Sequence, residues 1–239
     1  SHRFFGYLQR WATIGAVGSA ALLAGGVALD SAGILGAGGV MAAVTLPAAW
    51  PSSTNALNRE DRQLWVVNRE ANSVTVLRVR DRLGANFKDT TDKVAEIPVG
   101  LEPRCVVTHP NNQATFVTNG LSGTVTVINQ LFQVVATVPV GTEPRGCALS
   151  PSGKFLYVAN HTEGTVAVID TTRNAAHPIP TVIGKIDVGG NPTAIAVTNN
   201  ADKRDDDETV FVTQFLAELR PGGGGEARDL GKQGVVHSF

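Results

Sequence analysis

Two short segments of this chain repeat one trio of chemically useful residues. Glu102-Pro103-Arg104 returns as Glu143-Pro144-Arg145, and the arginines stand 41 residues apart (145 − 104). Two guanidinium groups brought to equivalent places could bind an anion or a partner's carboxylates, because their planar forks suit two-pronged recognition. In the plainer alternative each arginine pairs with Glu102 or Glu143 and pins its own turn, a common and weak surface arrangement. A third copy carries Thr193 where an arginine would stand, which interrupts any ring of charge.

A second candidate is the acidic run at residues 202–208. Asp205, Asp207 and Glu208 could ligate calcium, which takes several carboxylate and carbonyl oxygens in one loop. The run lacks the regular alternation and the glycine of a known calcium loop, and Lys203 and Arg204 compete with it. A solvated hairpin is the plainer reading. The histidines, among them His109 and His161 in turns, have no metal-ligand spacing and read as exposed loop residues. No Gly-x-Ser-x-Gly nucleophile turn, phosphate loop or Cys-x-x-Cys-His haem attachment occurs, so no catalytic residue is assigned.

The net charge of −1 provides no broad field for nucleic acid or acidic lipid, and nucleic-acid binding is set aside. With 239 residues, 43% of them hydrophobic, the chain can bury a sizeable core. Val, Thr, Gly and Asn are plentiful after the first segment, a mix suited to short strands and tight turns.

The first fifty residues differ in kind. Arg3 and Arg10 flank an aromatic stretch, and Trp11 to Leu29 then carries no charge. Half of the forty residues from Trp11 to Trp50 are small (eight Gly, twelve Ala). A basic start, an apolar stretch and small residues afterwards fit an export signal, and the run is also long enough for a membrane anchor. Residues 1–50 are therefore expected to be an export signal or anchor that could be helical. Residues 51–62 read as a linker and residues 63–239 as the folded part. The expected location is exported, periplasmic or at the cell surface, with membrane contact only through the first segment.

The elements that place the arginines come from an internal repeat. Trp65-Val66-Val67-Asn68 precedes Asn72-Ser73-Val74-Thr75-Val76, and Phe116-Val117-Thr118-Asn119 precedes Gly123-Thr124-Val125-Thr126-Val127. Tyr157-Val158-Ala159-Asn160 precedes Gly164-Thr165-Val166-Ala167-Val168, with a weaker copy at Phe211-Val212-Thr213-Gln214. The second marker is Pro98-Val99-Gly100 before one Glu-Pro-Arg and Pro139-Val140-Gly141 before the next. It degrades to Asp187-Val188-Gly189 in the third copy. Both markers step by 41 between the second and third copies, from Asn119 to Asn160 and from Arg104 to Arg145. Each unit divides into four short apolar runs; in the third they lie near 145–150, 155–160, 165–170 and 181–188. Val166 and Val168 point to one face and Ala167 and Ile169 to the other, so both faces are apolar. A sheet sheathed on both sides needs that pattern. Four strands per unit of about 40 residues is the spacing of a propeller blade.

These segments resemble the YVTN family of β-propeller repeats, named for the tetrapeptide present here as Tyr157-Val158-Ala159-Asn160 and Phe116-Val117-Thr118-Asn119. The resemblance covers about residues 63–239 and implies an all-β propeller of four-stranded antiparallel blades. About three and a half blades are present, a partial ring whose remainder is expected in a longer protein. In such a fold Arg104 and Arg145, with Glu102 and Glu143, sit at the rim of the central channel. The resemblance also implies an exported or surface protein.

Cys105 and Cys147 occupy corresponding inner strands, but 42 residues apart (147 − 105) where the repeat is 41. That offset turns their side chains to opposite faces of their strands, so the expectation is no disulfide. The function first in line is a binding or structural scaffold for a protein or surface polymer, with no cofactor beyond the calcium considered above. One alternative is the propeller domain of a larger haem- or quinone-linked oxidoreductase. The other is a metal-dependent propeller hydrolase or lactonase, which would need acidic or His residues converging on the channel mouth.

Overall fold

The computed structural model describes residues 54–79, 92–172, 179–200, 204–219 and 232–239. The leader expected at residues 1–50 lies outside them. Every regular element among the described residues is a strand, and none of their segments is a helix long and apolar enough to cross a membrane.

The first sheet runs β1 (Asn55–Leu57), β2 (Gln63–Asn68), β3 (Ser73–Arg78) and β4 (Asp92–Pro98), each antiparallel to the next. The second holds β5 (Pro103–Thr108), β6 (Ala114–Asn119), β7 (Thr124–Asn129) and β8 (Val134–Pro139). The third repeats this with β9 (Pro144–Leu149), β10 (Phe155–Asn160), β11 (Thr165–Asp170) and β12 (Thr181–Asp187). A fourth contains β13 (Pro192–Val197), β14 (Val210–Gln214) and β17 (Val236–Ser238), with β15 (Glu218–Leu219) and β16 (Lys232–Gln233) forming a separate hairpin. These are the expected blades, three complete and one partial. The first is complete because residues 55–57, expected in the linker, pair with β2 as its inner strand. Thr54-Asn55-Ala56-Leu57 carries only one β-branched residue, which is why it does not read as a strand.

Side chains alternate between the blades on either side. Val106, Val117 and Ile128 of the second blade pack against Trp65, Val74, Val76 and Ile97 of the first. Val107, Phe116, Val125 and Val127 point the other way, onto Leu149, Leu156, Val158 and Ile169 of the third. Ala148, Ala159 and Val166 then meet Ile195, Val210 and Val212 of the fourth. Full burial of one such side chain is worth about 1.5–3 kcal/mol, so these three apolar seams hold the blades together. No backbone ladder crosses between blades, so their spacing rests on side chains.

The two repeated markers touch each other. Asn119 Nδ2 donates to the hydroxyls of Thr124 (3.1 Å) and Thr126 (2.9 Å), tying the end of β6 to β7. Asn68 does the same to Ser73 and Thr75, and Asn160 donates to Thr165 and to the Val140 carbonyl. The residue opening the next strand has positive φ in each unit, 53° at Asn72, 67° at Gly123 and 73° at Gly164. Glycine, and asparagine to a lesser degree, adopts that turn at low cost.

Candidate functional site

The inner strands β5, β9 and β13 lie side by side, and each begins one residue after an unusual turn. Glu102 (φ 56°), Glu143 (φ 56°) and Asn191 (φ 58°) all occupy the left-handed region immediately before a proline. In each case the turn carbonyl accepts a backbone hydrogen bond from the residue after the second strand: Gly120 N to Glu102 O (2.8 Å), His161 N to Glu143 O and Phe215 N to Asn191 O (both 3.0 Å). A non-glycine residue at positive φ costs about 1–2 kcal/mol, and this repeated bond helps to hold it there. The next two residues are the fixed-φ proline and the arginine, which the turn delivers to the channel rim.

The structure draws Arg104, Arg145, their two glutamates and one further cation into a line. Arg69, just beyond β2, pairs with Glu102, and Arg104 bonds the same carboxylate at 2.9 Å. Arg104 also lies 3.8 Å from Glu143, which Arg145 grips through two nitrogens at 2.6 and 3.0 Å. Each arginine pairing with the glutamate of its own turn is the plainer expectation, and it is present. The sequence reading missed the cross-blade contacts. Arg69 follows the Asn68 of the repeat and has no counterpart in the Glu-Pro-Arg trio, so no spacing pointed to it.

Three guanidinium groups against two carboxylates leave a surplus of one positive charge at this rim. Arg69, Arg104 and Arg145 all line a cavity of about 370 Å³, together with Cys105, Gly146 and Thr193. Arg104 Nε is buried and makes no hydrogen bond among the described residues. Both guanidinium contacts of Glu102 fall on Oε1. The Thr162 hydroxyl, and after it the Arg145 guanidinium, hold the carboxyl of Glu143 below its ordinary value against the opposing effect of partial burial.

Phe215 lies beside Arg145. Its ring lies 6.0 Å from the Arg145 guanidinium and edge-on to His161, with ring centres 5.7 Å apart. His161 is buried rather than an exposed loop residue, because the fourth blade packs over it and the Pro192 carbonyl accepts its Nδ1–H at 3.1 Å.

The acidic run does not gather. Asp205 accepts hydrogen bonds from Ser150 Oγ (3.1 Å), Ser152 N (3.1 Å) and Ser152 Oγ on the third blade's first turn. Asp207 accepts from Asn200 Nδ2, while Glu208 accepts from Thr198 Oγ1 and Asn200 N. Among the described residues no group of three or more His, Cys, Asp or Glu side chains could hold a metal ion.

The expectation for the cysteines is overturned: Cys105 and Cys147 form a disulfide. The one-residue offset was read correctly and interpreted in the wrong frame. Cys105 leaves the second blade on the face toward the third, and Cys147 leaves the third on the face toward the second. Opposite faces of their own sheets are facing sides of one seam, and the Cα atoms stand 6.1 Å apart.

Neither a family model nor a curated protein sequence matches the chain. Solved structures do match it. Hydrazine synthase from Kuenenia stuttgartiensis aligns with a TM-score of 0.55 at 22% identity, over 74% of this chain and 46% of that one. A candidate 6-phosphogluconolactonase from Bacteroides uniformis aligns with a TM-score of 0.55 at 14% identity, over 79% and 58%. A second, from Bacteroides fragilis, aligns with a TM-score of 0.50 at 17% identity, over 59% and 40%. The chain spans about half the length of these structures. At such identities the likeness establishes the fold, which is a β-propeller. It also corrects the scaffold expectation: two of the three propellers carry a lactonase name, which sides with the hydrolase alternative.

Proposed function

We propose that the chain is an exported YVTN-type propeller that hydrolyses an anionic sugar lactone at the rim of its channel. The observation that carries this reading is the trio Arg69, Arg104 and Arg145 around one cavity of about 370 Å³. That volume lies in the range of small-molecule sites. Guanidinium forks suit a phosphate or carboxylate substituent and the oxygen of a polarised carbonyl. The lactonase names among the structural neighbours indicate the reaction class, and 6-phosphogluconolactone is a substrate of the required charge. The buried Cys105–Cys147 disulfide supports export, since such bonds persist in oxidising compartments.

In this reading Arg104 and Arg145 hold the anionic substituent and the lactone carbonyl between them. Water adds to the carbonyl carbon while its proton passes to Glu102, whose Oε2 is not engaged by either arginine. Negative charge builds on the carbonyl oxygen against the guanidinium groups. The ring C–O bond then breaks, the ring oxygen takes the proton back from Glu102, and the open-chain carboxylic acid releases its remaining proton to solvent to leave a carboxylate.

The test is hydrolysis of 6-phosphogluconolactone by the purified chain, followed as proton release and corrected for the spontaneous rate. Acceleration is expected, with a drop of roughly 100-fold or more in the double variant Arg104→Ala/Arg145→Ala. A wild-type rate equal to the spontaneous one overturns the reading.

A further inference from the structure

The disulfide joins β5 and β9 directly beneath the two arginines. Cys105 follows Arg104, and Cys147 lies two residues after Arg145. No ladder joins these two inner strands, so the distance between their first residues rests on the apolar seam, the Arg104–Glu143 contact at 3.8 Å and a few specific ties. One further link crosses at the same level. Cys105 N donates to Thr118 Oγ1 (3.0 Å), whose own hydroxyl donates to the Arg145 carbonyl (2.8 Å). Both cross-blade ties therefore converge on the backbone that carries Arg104 and Arg145. The third blade meets the fourth without a cystine, and Thr193 stands there in place of an arginine. The covalent tie occurs at the seam where two arginines must face one ligand.

We infer that the Cys105–Cys147 disulfide is a positioning device for the anion site, setting the spacing of Arg104 and Arg145 so that both forks reach one phosphate or carboxylate group. The inference rests on the anion-site reading above. An anion shared by two guanidinium groups is bound tightly only when their separation matches its oxygens. Without the bond, the two inner strands are held by apolar packing, the Thr118 relay and the shared Glu143 carboxylate, and the forks sample wider separations. Both sulfurs are buried, at 2% and 0% exposure, so the bond is a permanent tie rather than one exchanged readily with solvent thiols.

The probe is inorganic phosphate, titrated calorimetrically into the full chain in three forms: oxidised wild type, Cys105→Ser/Cys147→Ser, and wild type unfolded in urea, reduced with dithiothreitol and refolded by desalting under argon. In the last form the dithiol gives two electrons and two protons to the two sulfurs and closes to its own cyclic disulfide. Near-UV circular dichroism establishes that each form is folded under the titration conditions. The expected result is phosphate binding by the oxidised protein that weakens about tenfold in the folded double variant and in the reduced protein. Reoxidation of the reduced protein restores it. A merely structural tie would lower the urea midpoint and leave the affinity of the folded protein unchanged. Should the variant not fold, the reduced wild type gives the same comparison. Equal affinity in oxidised and untied forms overturns the positioning role and leaves the anion site standing. No binding by the oxidised wild type overturns the anion site, and this inference with it.

Discussion

The side chain of Asn119 lies flat against Gly100, so closely that a Cβ on Gly100 would stand 2.7 Å from Asn119 Cγ. The same relation joins Asn160 to Gly141, while in the third copy Gln214 meets Gly190, one residue beyond the marker's Gly189. The last residue of the second strand thus covers the glycine that ends the preceding blade. The two sequence markers share one period because they are two halves of one contact. Asn119 is completely buried, so it has no room to yield.

Gly100→Ala is therefore expected to destabilise the fold by about 1–3 kcal/mol, the range for forcing an added methyl group into a packed interior. Urea unfolding of the variant measures it. Gly184→Ala is the control, because a Cβ there meets nothing within 4 Å. Equal midpoints for the two variants would refute the contact.

Removing the inter-blade cystine with Cys105→Ser/Cys147→Ser should cost about 2–4 kcal/mol in the same assay, with part of the effect arising in the unfolded chain. Free-thiol titration of the unfolded wild type checks the bond itself. Two reactive thiols without reductant would mean that it is absent.

Asp205→Ala should lower stability by about 1–3 kcal/mol, because it leaves Ser150 and Ser152 of the neighbouring blade without their shared carboxylate. Thermal melts with and without calcium distinguish this clasp from a metal site. A calcium-dependent rise in Tm that vanishes in the variant would restore the metal reading.

Glu143 offers a test by pH. Its carboxyl titrates below the ordinary value of 4.5 in the folded chain. A depressed carboxylate contributes stability that is complete above its unfolded value and is lost as pH falls through its folded value. Glu163, lowered chiefly by Lys185, acts in the same direction. The urea midpoint should accordingly decline below about pH 4.5. In Thr162→Val the acid loss should be smaller and complete at a higher pH, since the strongest cause of the Glu143 shift has been removed. An unchanged acid profile in that variant would show that the hydroxyl contributes nothing.

Much of the fold was legible because each repeat states it again: Val166 and Ala167 declare opposite buried faces, and the strand limits in the third unit agree with the residues. The inner strand at 55–57 was not legible, since three residues with no alternation carry no period. Of the site, Arg104, Arg145, Glu102 and Glu143 were found through their shared spacing. Arg69 was not, because its membership depends on the first blade standing beside the second. The cysteines show the limit most clearly. Their offset correctly indicated opposite faces, and only the neighbouring blade turns opposite faces into a facing pair.

What the amino-acid order determined alone was everything that repeats within a blade: four strands, the turns between them and an amide at the end of the second. Those features depend on residues close along the chain, whose geometry follows from φ, ψ and side-chain alternation. The tertiary structure decided which residues meet between blades. It joined Cys105 to Cys147, set Arg104 near Glu143, buried His161 beneath Phe215 and sent Asp205 to two serines. The reason is that neighbouring blades share no backbone ladder, so no register along the chain encodes those meetings; they follow from how apolar faces stack around the axis.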